Sequence, residues 1–335
     1  AVISRVKILS DMNIAERRRP QDGRFSVRHQ GQKIDFRVAV ISCHWGEKVV
    51  MRLLRPKTIA LGLEALGFTP DDLDKLMPYI NAPNGILLVT GPTGSGKTST
   101  LYASLAAMDK QHDSIVTIED PVEFPVEGIT QIQANAKIGL TFAAALRTIL
   151  RLDPDTIMLG EIRDKETGEI AIEAALTGHM VLSTLHTNST VETVGRLIDM
   201  GIPPYMVSAT LLCVVAQRLV RKVCKGCYEE YEADDEEKAF LARPLDEPLI
   251  LARGAGCDIC NGTGHKGQLG VFEILEVTRR IKELINEEAS SIQMLDAAAE
   301  GGMLTLLEDG KRKVLGRQTS VEEIVRVLGK GLKDE

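Results

Sequence analysis

A glycine-rich stretch near residue 90 constrains this chain more than any other feature. Residues 91–98 read Gly-Pro-Thr-Gly-Ser-Gly-Lys-Thr and fit the pattern G-x-x-x-x-G-K-[ST] of a phosphate-binding P-loop. The apolar run 85–90 precedes it as a buried strand would, and residues 98–108 follow it with helical spacing. A glycine-rich turn that binds nothing is the alternative, but the agreement of both flanks with the motif favours a nucleotide site.

Each residue type in this loop has a chemical reason. Glycines lack a Cβ, so the backbone can turn its amides inward around a phosphate, and the next helix adds its positive N-terminal end. We expect Lys97 to bind the β- and γ-phosphates and Thr98 to be a magnesium ligand. The predicted nucleotide-binding residues are Gly91, Pro92, Thr93, Gly94, Ser95, Gly96, Lys97, Thr98 and Ser99.

Strands and helices alternate from residue 85 to about residue 221, which predicts a parallel sheet covered on both faces. In such a sheet the carboxyl ends of the strands line one crevice, so the residues that follow each strand should meet at the bound phosphates. The predicted strands are 86–90, 114–119, 156–160 and 180–185, and the predicted helices between them are 141–152 and 165–176.

Two acidic segments follow strands of this predicted sheet. Residues 117–123 read Thr-Ile-Glu-Asp-Pro-Val-Glu, and these carboxylates could orient a water or hold magnesium; a solvated acidic turn is the alternative. Glu161 follows an apolar run and is similar to the acid of a Walker B strand. Because magnesium keeps most of its water, one carboxylate is sufficient for it. We assign the metal to Glu161 and the attacking water to Glu119, and the reverse assignment stays open.

Histidine and arginine side chains are further candidates. His186 ends a predicted strand, where a neutral imidazole could donate to the γ-phosphate, whereas His179 precedes that strand and fits an ordinary structural role equally well. Phosphoryl transfer depends on charge neutralisation, so a fast nucleotide hydrolase commonly recruits an arginine. The strand-like N-terminal segment offers Arg24, Arg37 and Arg52, for which a solvated basic strand face is the alternative.

Four of the six cysteines form two C-x-x-C pairs, Cys224 with Cys227 and Cys257 with Cys260, separated by 29 residues. Four thiolates suit a closed, tetrahedral zinc site, which would replace a core that this glycine-rich segment cannot build. Disulfides and free thiols are the alternatives. The isolated Cys43 and Cys213 are predicted to be small apolar residues in the interior.

The composition suggests several regions and excludes some functions. We divide the chain into a small α/β domain (1–56), a linker (57–80), a nucleotide-binding core (81–221), a cysteine-rich zinc subdomain (222–270) and a helical region (271–335), with helix breaks at 301–302 and near 316. The chain begins with Ala1 in what reads as mid-domain sequence, which indicates a piece of a longer protein. A net charge of −7 and 4% aromatic residues argue against a nucleic-acid binder.

Together these segments resemble the secretion and pilus-assembly ATPases of the GspE/PilB type. The similarity extends over essentially the whole chain and includes residues 4–8, 20–24, 91–98, 116–123, 160–164, 177–186, 216–220 and the two cysteine pairs. In this family 116–123 is the Asp box and 177–187 is the His box. The resemblance also implies that Arg37 and Arg52 reach a nucleotide, and the four cysteines favour the assembly or secretion branch over pilus-retraction motors.

The resemblance implies a fold, an assembly and an activity. The expected fold is α/β, with a RecA-like P-loop ATPase core, a preceding PAS-like domain, a tetracysteine zinc subdomain and a C-terminal helical region. The expected protein is a homohexameric, Mg²⁺-dependent ATPase that also holds Zn²⁺. It would work at the cytoplasmic face of the inner membrane, attached through partners, and drive a platform protein that extracts pilin or pseudopilin subunits.

Two other functions stay open at this point. RecA-like rings also move along nucleic acid, and stimulation of ATP hydrolysis by single-stranded DNA would favour such a translocase. The chain could also be an ATP-binding scaffold without turnover, which unchanged turnover after Glu161→Gln would support. The motifs do not separate type II secretion from type IV pilus assembly.

Overall fold

The computed structural model describes residues 1–29, 31–54 and 62–329, which fall into two compact units, Ala1–Ala60 and Leu61–Glu335. Residues 57–61 of the predicted linker and 330–335 of the predicted helical region lie outside the described residues. The two units are described one at a time.

The first unit is a helix on a small antiparallel sheet. Val38 and Val40 of the middle strand are buried and form its core with Val6 of the helix. The sheet order is β1-β2-β3, so each strand pairs with the next one along the chain. The elements are α1 (Val2–Leu9), β1 (Gln21–His29), β2 (Gln32–Cys43) and β3 (Gly46–Leu54).

A seven-stranded sheet forms the centre of the second unit. Its β4 consists of six buried residues, an unbroken apolar run typical of a strand covered on both faces. The strand order is β12-β9-β4-β8-β7-β5-β6, and all neighbours are parallel except β12 and β9. The strands are β4 (Gly85–Thr90), β5 (Ile115–Glu119), β6 (Thr130–Gln133), β7 (Thr156–Leu159), β8 (Met180–Leu185), β9 (Leu211–Val223) and β12 (His265–Glu276).

Helices connect these strands and cover the sheet. Buried residues of α5, α6, α7 and α8 pack with β4, β5, β7 and β8 into one large apolar core. The helix α3 is fixed at its start by a capping box between Thr69 and Asp72. These helices are α2 (Leu63–Leu66), α3 (Pro70–Ile80), α4 (Lys97–Ala107), α5 (Phe142–Ile149), α6 (Lys165–Leu176), α7 (Thr190–Asp199) and α8 (Pro204–Thr210).

The region after β9 contains more regular structure than its composition suggests. Two antiparallel strands carry the cysteine loops, and the last four helices include the predicted breaks, because α11 ends before Gly301 and α12 ends before Gly316. The elements are β10 (Tyr228–Glu232), α9 (Asp235–Phe240), β11 (Ile250–Gly254), α10 (Arg279–Asn286), α11 (Ser291–Glu300), α12 (Leu306–Leu315) and α13 (Val321–Leu328).

The expected α/β fold with a RecA-like core is confirmed, but the sheet is not wholly parallel. β12 adds antiparallel to β9 at one edge, and it runs through residue 270, where the zinc subdomain was predicted to end. β9 itself was not among the predicted strands. The apolar run 207–216 is shared between α8 and β9, and periodicity does not distinguish a buried helix end from a buried strand.

Candidate functional site

The glycine loop between β4 and α4 is tightly backed by β9. Gly91, Gly94 and Gly96 have φ angles of 146°, 81° and 91°, which favour glycine. A Cβ atom at Gly91 would lie 2.5 Å from the carbonyl oxygen of Gln217, and one at Gly96 would lie 2.7 Å from its Nε2. The loop therefore requires glycine for two reasons, the backbone conformation and the close approach of a neighbouring strand.

The loop also has features that fit a phosphate. The hydroxyl oxygen of Ser95 is buried and has no hydrogen-bond partner among the described residues. Helix α4 begins at Lys97 with Gly96 as its N-cap and has no acidic residue in its first turn. Its free N–H groups and positive dipole end thus point at an anion site. These observations fit the predicted binding of a nucleotide at this loop.

The Lys97 ammonium lies against the loop and against a histidine from the next strand. Its Nζ donates to the carbonyl oxygens of Gly91 (2.7 Å) and Pro92 (3.2 Å) and lies 3.3 Å from Nδ1 of His186. Burial lowers the pKa of Lys97; Glu161 opposes this effect, and the positive charge of Arg218 adds to it. The ammonium is therefore a partly desolvated cation without a direct carboxylate partner among the described residues of its unit.

Glu161 is held as an ionised carboxylate beside that histidine. Its Oε2 lies 3.3 Å from Nε2 of His186, and its Oε1 accepts from Arg163. Burial would raise the pKa of Glu161, but Arg163 and His186 outweigh it and hold the pKa below its usual value. Lys97, His186 and Glu161 thus form a chain of contacts across the ends of β4, β8 and β7.

Glu119 lies in a different cluster of hydrogen bonds. It is 3% exposed, and its Oε2 accepts from the phenol of Tyr102 at 2.5 Å. Its Oε1 accepts from Thr117 (2.6 Å) and from the side-chain amide of Gln131 (3.2 Å). The sheet order places β5, which ends at Glu119, three strands from β4. No described contact joins Glu119 to the group of Lys97, His186 and Glu161.

The remaining basic candidates are His179 and the arginines of the first unit. His179 precedes β8, and its Nδ1 lies 2.9 Å from the carbonyl oxygen of Ala174, which is an ordinary structural contact. Arg37 and Arg52 belong to the first unit, where the strand register places Arg24, Arg37 and Arg52 side by side on three strands. Like charges directly opposite one another are unfavourable. Such a row of arginines fits an anion better than a purely structural face.

Several residues at the site were not singled out by the sequence analysis. Gln217 supports the glycine loop, Arg218 lies close enough to affect Lys97, Arg163 pairs with Glu161, and Tyr102 holds Glu119. For β9 the available signal was the polar pair Gln217-Arg218 within its apolar run, in the segment 216–220 that also carries the family resemblance. That signal does not say which strand lies next to it.

The four cysteines of the two C-x-x-C pairs converge on one point. Three of their Sγ–Sγ distances are 3.9, 3.8 and 3.8 Å, and all four sulfurs lie within 4.8 Å of one another. Zinc–sulfur bonds of about 2.3 Å at tetrahedral angles give sulfur separations of about 3.8 Å. The backbone N–H groups of Cys257 and Gly264 donate to the Cys260 sulfur and lower its pKa to about 6. This donor set fits zinc.

The other two cysteines differ from each other. Cys213 is buried in β9, as predicted, and its burial raises the pKa of its thiol. Cys43 is exposed at the end of β2, so the prediction of an interior position was wrong for it. The segment 41–46 is exposed at this end of the hairpin. A single isolated cysteine does not indicate whether its side chain lies on the buried or the exposed face of a strand.

Fold and site together define a protein with a RecA-like core and a P-loop between β4 and α4. The sequence profile of the Type II/IV secretion system proteins matches residues 1–326, and the chain belongs to that family. The Type II secretion system ATPase E of Vibrio cholerae serotype O1 is 48% identical over 326 residues, which cover 97% of this chain and 65% of that protein. The Type IV pilus assembly ATPase PilB of Acinetobacter baylyi is 44% identical, covering 97% of this chain and 57% of that protein.

The crystal structure of the pilus retraction motor PilT with bound ADP has the same fold. It superposes with a TM-score of 0.66 and 27% identity, covering 92% of this chain and 77% of that one. The chain therefore spans less than two thirds of the curated relatives and most of the retraction motor. Within the described residues, every helix is too short or too polar to cross a bilayer.

Proposed function

We propose that this chain binds ATP in the loop 91–98 and hydrolyses it. The observation that carries the proposal is the chain of contacts from Lys97 through His186 to Glu161, at the carboxyl ends of three neighbouring strands. In an open parallel sheet this edge is where ligands bind. A cation and a carboxylate at the mouth of a glycine loop are groups that phosphoryl transfer uses, and here the imidazole of His186 connects them.

Magnesium, when bound, neutralises charge on the phosphate oxygens. We assign Thr98, in the first turn of α4, and the ionised Glu161 as the side chains that hold it. Glu119 would then orient the attacking water. A carboxylate can accept about four hydrogen bonds. Glu119 already accepts three, from Tyr102, Thr117 and Gln131. One position thus stays free for a water, which is compatible with this assignment.

The arginine row of the first unit supports its participation in hydrolysis. Arg24, Arg37 and Arg52 face away from α1, and none of them has a carboxylate partner among the described residues of that unit. We propose that Arg37 and Arg52 contribute their guanidinium groups to a triphosphate. They could act on the same chain or on a neighbour in a ring, and either route makes hydrolysis depend on domain position.

The tetracysteine cluster supports a structural zinc ion. Cys224, Cys227, Cys257 and Cys260 would be its four ligands, which leaves no open position for a reaction. They join the end of β9 to the loop before β12, and these two strands are neighbours at one side of the core sheet. The ion would thus fix the lobe formed by β10 and β11 to the nucleotide-binding core.

At the level of the cell, we propose a homohexameric motor for protein secretion or for pilus assembly. It would act on an inner-membrane platform protein from the cytoplasmic side and reach the membrane through its partners. The names of the curated relatives include both systems. We retain the division into a PAS-like domain (1–56), linker (57–80), ATPase core (81–221), zinc subdomain (222–270) and helical region (271–335) as part of this proposal.

Lys97→Ala tests the nucleotide site. We expect at least a hundredfold loss of ATP hydrolysis, because the desolvated ammonium of Lys97 is the cation nearest the loop. Light scattering should show that the variant and the wild type form oligomers of the same size. Lys137→Ala, which removes an exposed lysine elsewhere, is the matched control. Retained hydrolysis in Lys97→Ala would exclude this phosphate site. Co-purification of a platform protein with the whole protein tests the cellular role.

A further inference from the structure

The strand β9 brings the polar residue Gln217 to the back of the glycine loop. β9 runs parallel to β4 with Ala216 beside Thr90, so the next residues of both strands, Gln217 and Gly91, lie together. Gln217 is 1% exposed, and its Oε1 accepts from Thr100 of α4 at 2.7 Å. The residue that follows Gln217 therefore lies at the edge of the sheet where the phosphate loop begins.

That residue is Arg218, and its hydrogen bonds go to neutral oxygens. Its guanidinium donates to the carbonyl oxygen of Gln217 (3.1 Å) and to two oxygens of Asn188, the carbonyl (3.1 Å) and Oδ1 (3.2 Å). Asn188 lies two residues after His186. The guanidinium thus spans the space between the strand behind the loop and the segment that carries the predicted imidazole.

Arg218 is a half-buried cation without a carboxylate partner among the described residues of its unit. Burial lowers its pKa, while Glu273 and Glu192 oppose this from beyond ion-pair distance. Both carboxylates are engaged elsewhere, since Glu273 accepts from Thr190 and Glu192 accepts from the backbone of Asn188. Arg221, three residues further along the same strand, does have a carboxylate partner, because it pairs with the buried Glu323 at 2.7 Å.

Two partly desolvated cations therefore share one neighbourhood. Lys97 contacts His186 and Arg218 contacts Asn188, two residues further on, and the charge of Arg218 lowers the pKa of Lys97. Burying like charges together is unfavourable unless an anion joins them. A guanidinium suits phosphate oxygens because its fork of N–H groups can donate two parallel hydrogen bonds.

We propose that Arg218 binds the phosphate chain of the nucleotide as a second cation, supplied by the same chain and the same domain as Lys97. This inference rests on the proposed binding of ATP at the loop 91–98. It differs from the roles of Arg37 and Arg52, which come from the first unit. Through its bonds to Asn188, Arg218 also links the phosphates to the segment that follows His186.

The test compares the affinities of Arg218 variants for MgATP, MgADP and inorganic tripolyphosphate by isothermal titration calorimetry. Arg218→Gln keeps a hydrogen-bond donor for Asn188 and removes the charge. We expect it to weaken MgATP and tripolyphosphate about tenfold or more. Arg218→Lys keeps the charge without the fork and should lie between Arg218→Gln and the wild type. Lys222→Ala removes a positive charge four residues further along β9 and should bind as the wild type does.

Circular dichroism and the melting temperature establish that each variant is folded. If Arg218→Gln binds both ligands as tightly as the wild type, the inference is wrong and the proposed nucleotide site stands. If it weakens MgATP but not tripolyphosphate, Arg218 contacts the base or ribose, which also overturns a phosphate role. If the folded wild type binds none of the ligands, the proposed function fails and this inference fails with it.

Discussion

The phenol of Tyr102 donates a hydrogen bond of 2.5 Å to Oε2 of Glu119. Tyr102 lies in α4, the helix that begins in the phosphate loop, and Glu119 ends β5, so the bond joins the loop to the acidic segment. Burial and the Glu119 carboxylate raise the pKa of Tyr102, so the phenol keeps its proton and stays a donor at physiological pH. The orientation of Glu119 thus depends on the position of α4.

Tyr102→Phe should lower the turnover of ATP about five- to tenfold and change the KM less than twofold. The reason is that a hydrogen bond to a charged group is worth about 1.5–3 kcal/mol, and its loss frees Glu119 to adopt unproductive orientations. Steady-state ATP hydrolysis measures this effect. In the Glu119→Gln background the same change should have little further effect, because the two residues act as one unit.

Tyr79→Phe is the matched control for that experiment. Tyr79 donates a similar hydrogen bond of 2.8 Å to Glu276 at the edge of the sheet, and burial raises its pKa in the same way. This change should cost about 1 kcal/mol of stability and leave the turnover of the folded protein unaltered. Equal losses of turnover in both variants would show that Tyr102 acts only through general stability.

His186→Ala should lower turnover at least tenfold, because His186 is the bridge between Lys97 and Glu161. His179→Ala, at the other end of β8, should leave turnover within about twofold of the wild type and lower only the melting temperature, since it loses a contact to the end of α6. Single-turnover hydrolysis at saturating ATP separates the two effects. A reversed order of the two variants would contradict the site.

Metal analysis should find about one zinc ion per chain, and Cys224→Ser or Cys260→Ser should abolish its binding. Loss of the ion should speed amide hydrogen exchange across β10 and β11, because the strand pair loses one of its attachments to the core. Cys43→Ser removes an exposed cysteine outside the cluster and should retain the metal. Full zinc content in Cys224→Ser would contradict the four-thiolate site.

Glu323 predicts a pH-dependent contribution to stability. It is fully buried and accepts hydrogen bonds from Arg221 and Arg326. Burial would raise its pKa, but these two arginines hold the pKa at about 2, below the ordinary 4.5. Because the folded pKa is depressed, the stabilisation is complete above pH 4.5 and is lost as the pH falls toward 2.

Glu323→Gln should therefore lower the free energy of unfolding by about 2 kcal/mol at pH 7. The difference from the wild type should shrink as the pH falls below about 4.5, which urea denaturation at a series of pH values would show. Glu283→Gln breaks an exposed pair with Arg279 and should cost less than about 0.5 kcal/mol. A difference that stays constant down to pH 3 would exclude ionisation of Glu323 as its cause.

The loop residues and the cysteine pairs could be predicted because their chemistry is contiguous in the chain. Gly91 to Thr98 places every group of the phosphate cradle within one turn and one helix start, and C-x-x-C places two sulfurs on one tight turn. The strands β4, β7 and β8 were predictable for a related reason, since each is a short apolar run with turn residues on both sides.

The sequence by itself therefore determined the family, the glycine-rich loop and the pairing of the four cysteines in two C-x-x-C turns, because local backbone conformation and residue type suffice for them. Only the tertiary structure decided that Gln217 lies behind the loop, that Tyr102 holds Glu119, and that β12 adds antiparallel to the sheet edge. These pairings depend on which strands and helices become neighbours. Which elements become neighbours depends on the apolar surface that the whole folded chain buries, and no single segment of the sequence determines that.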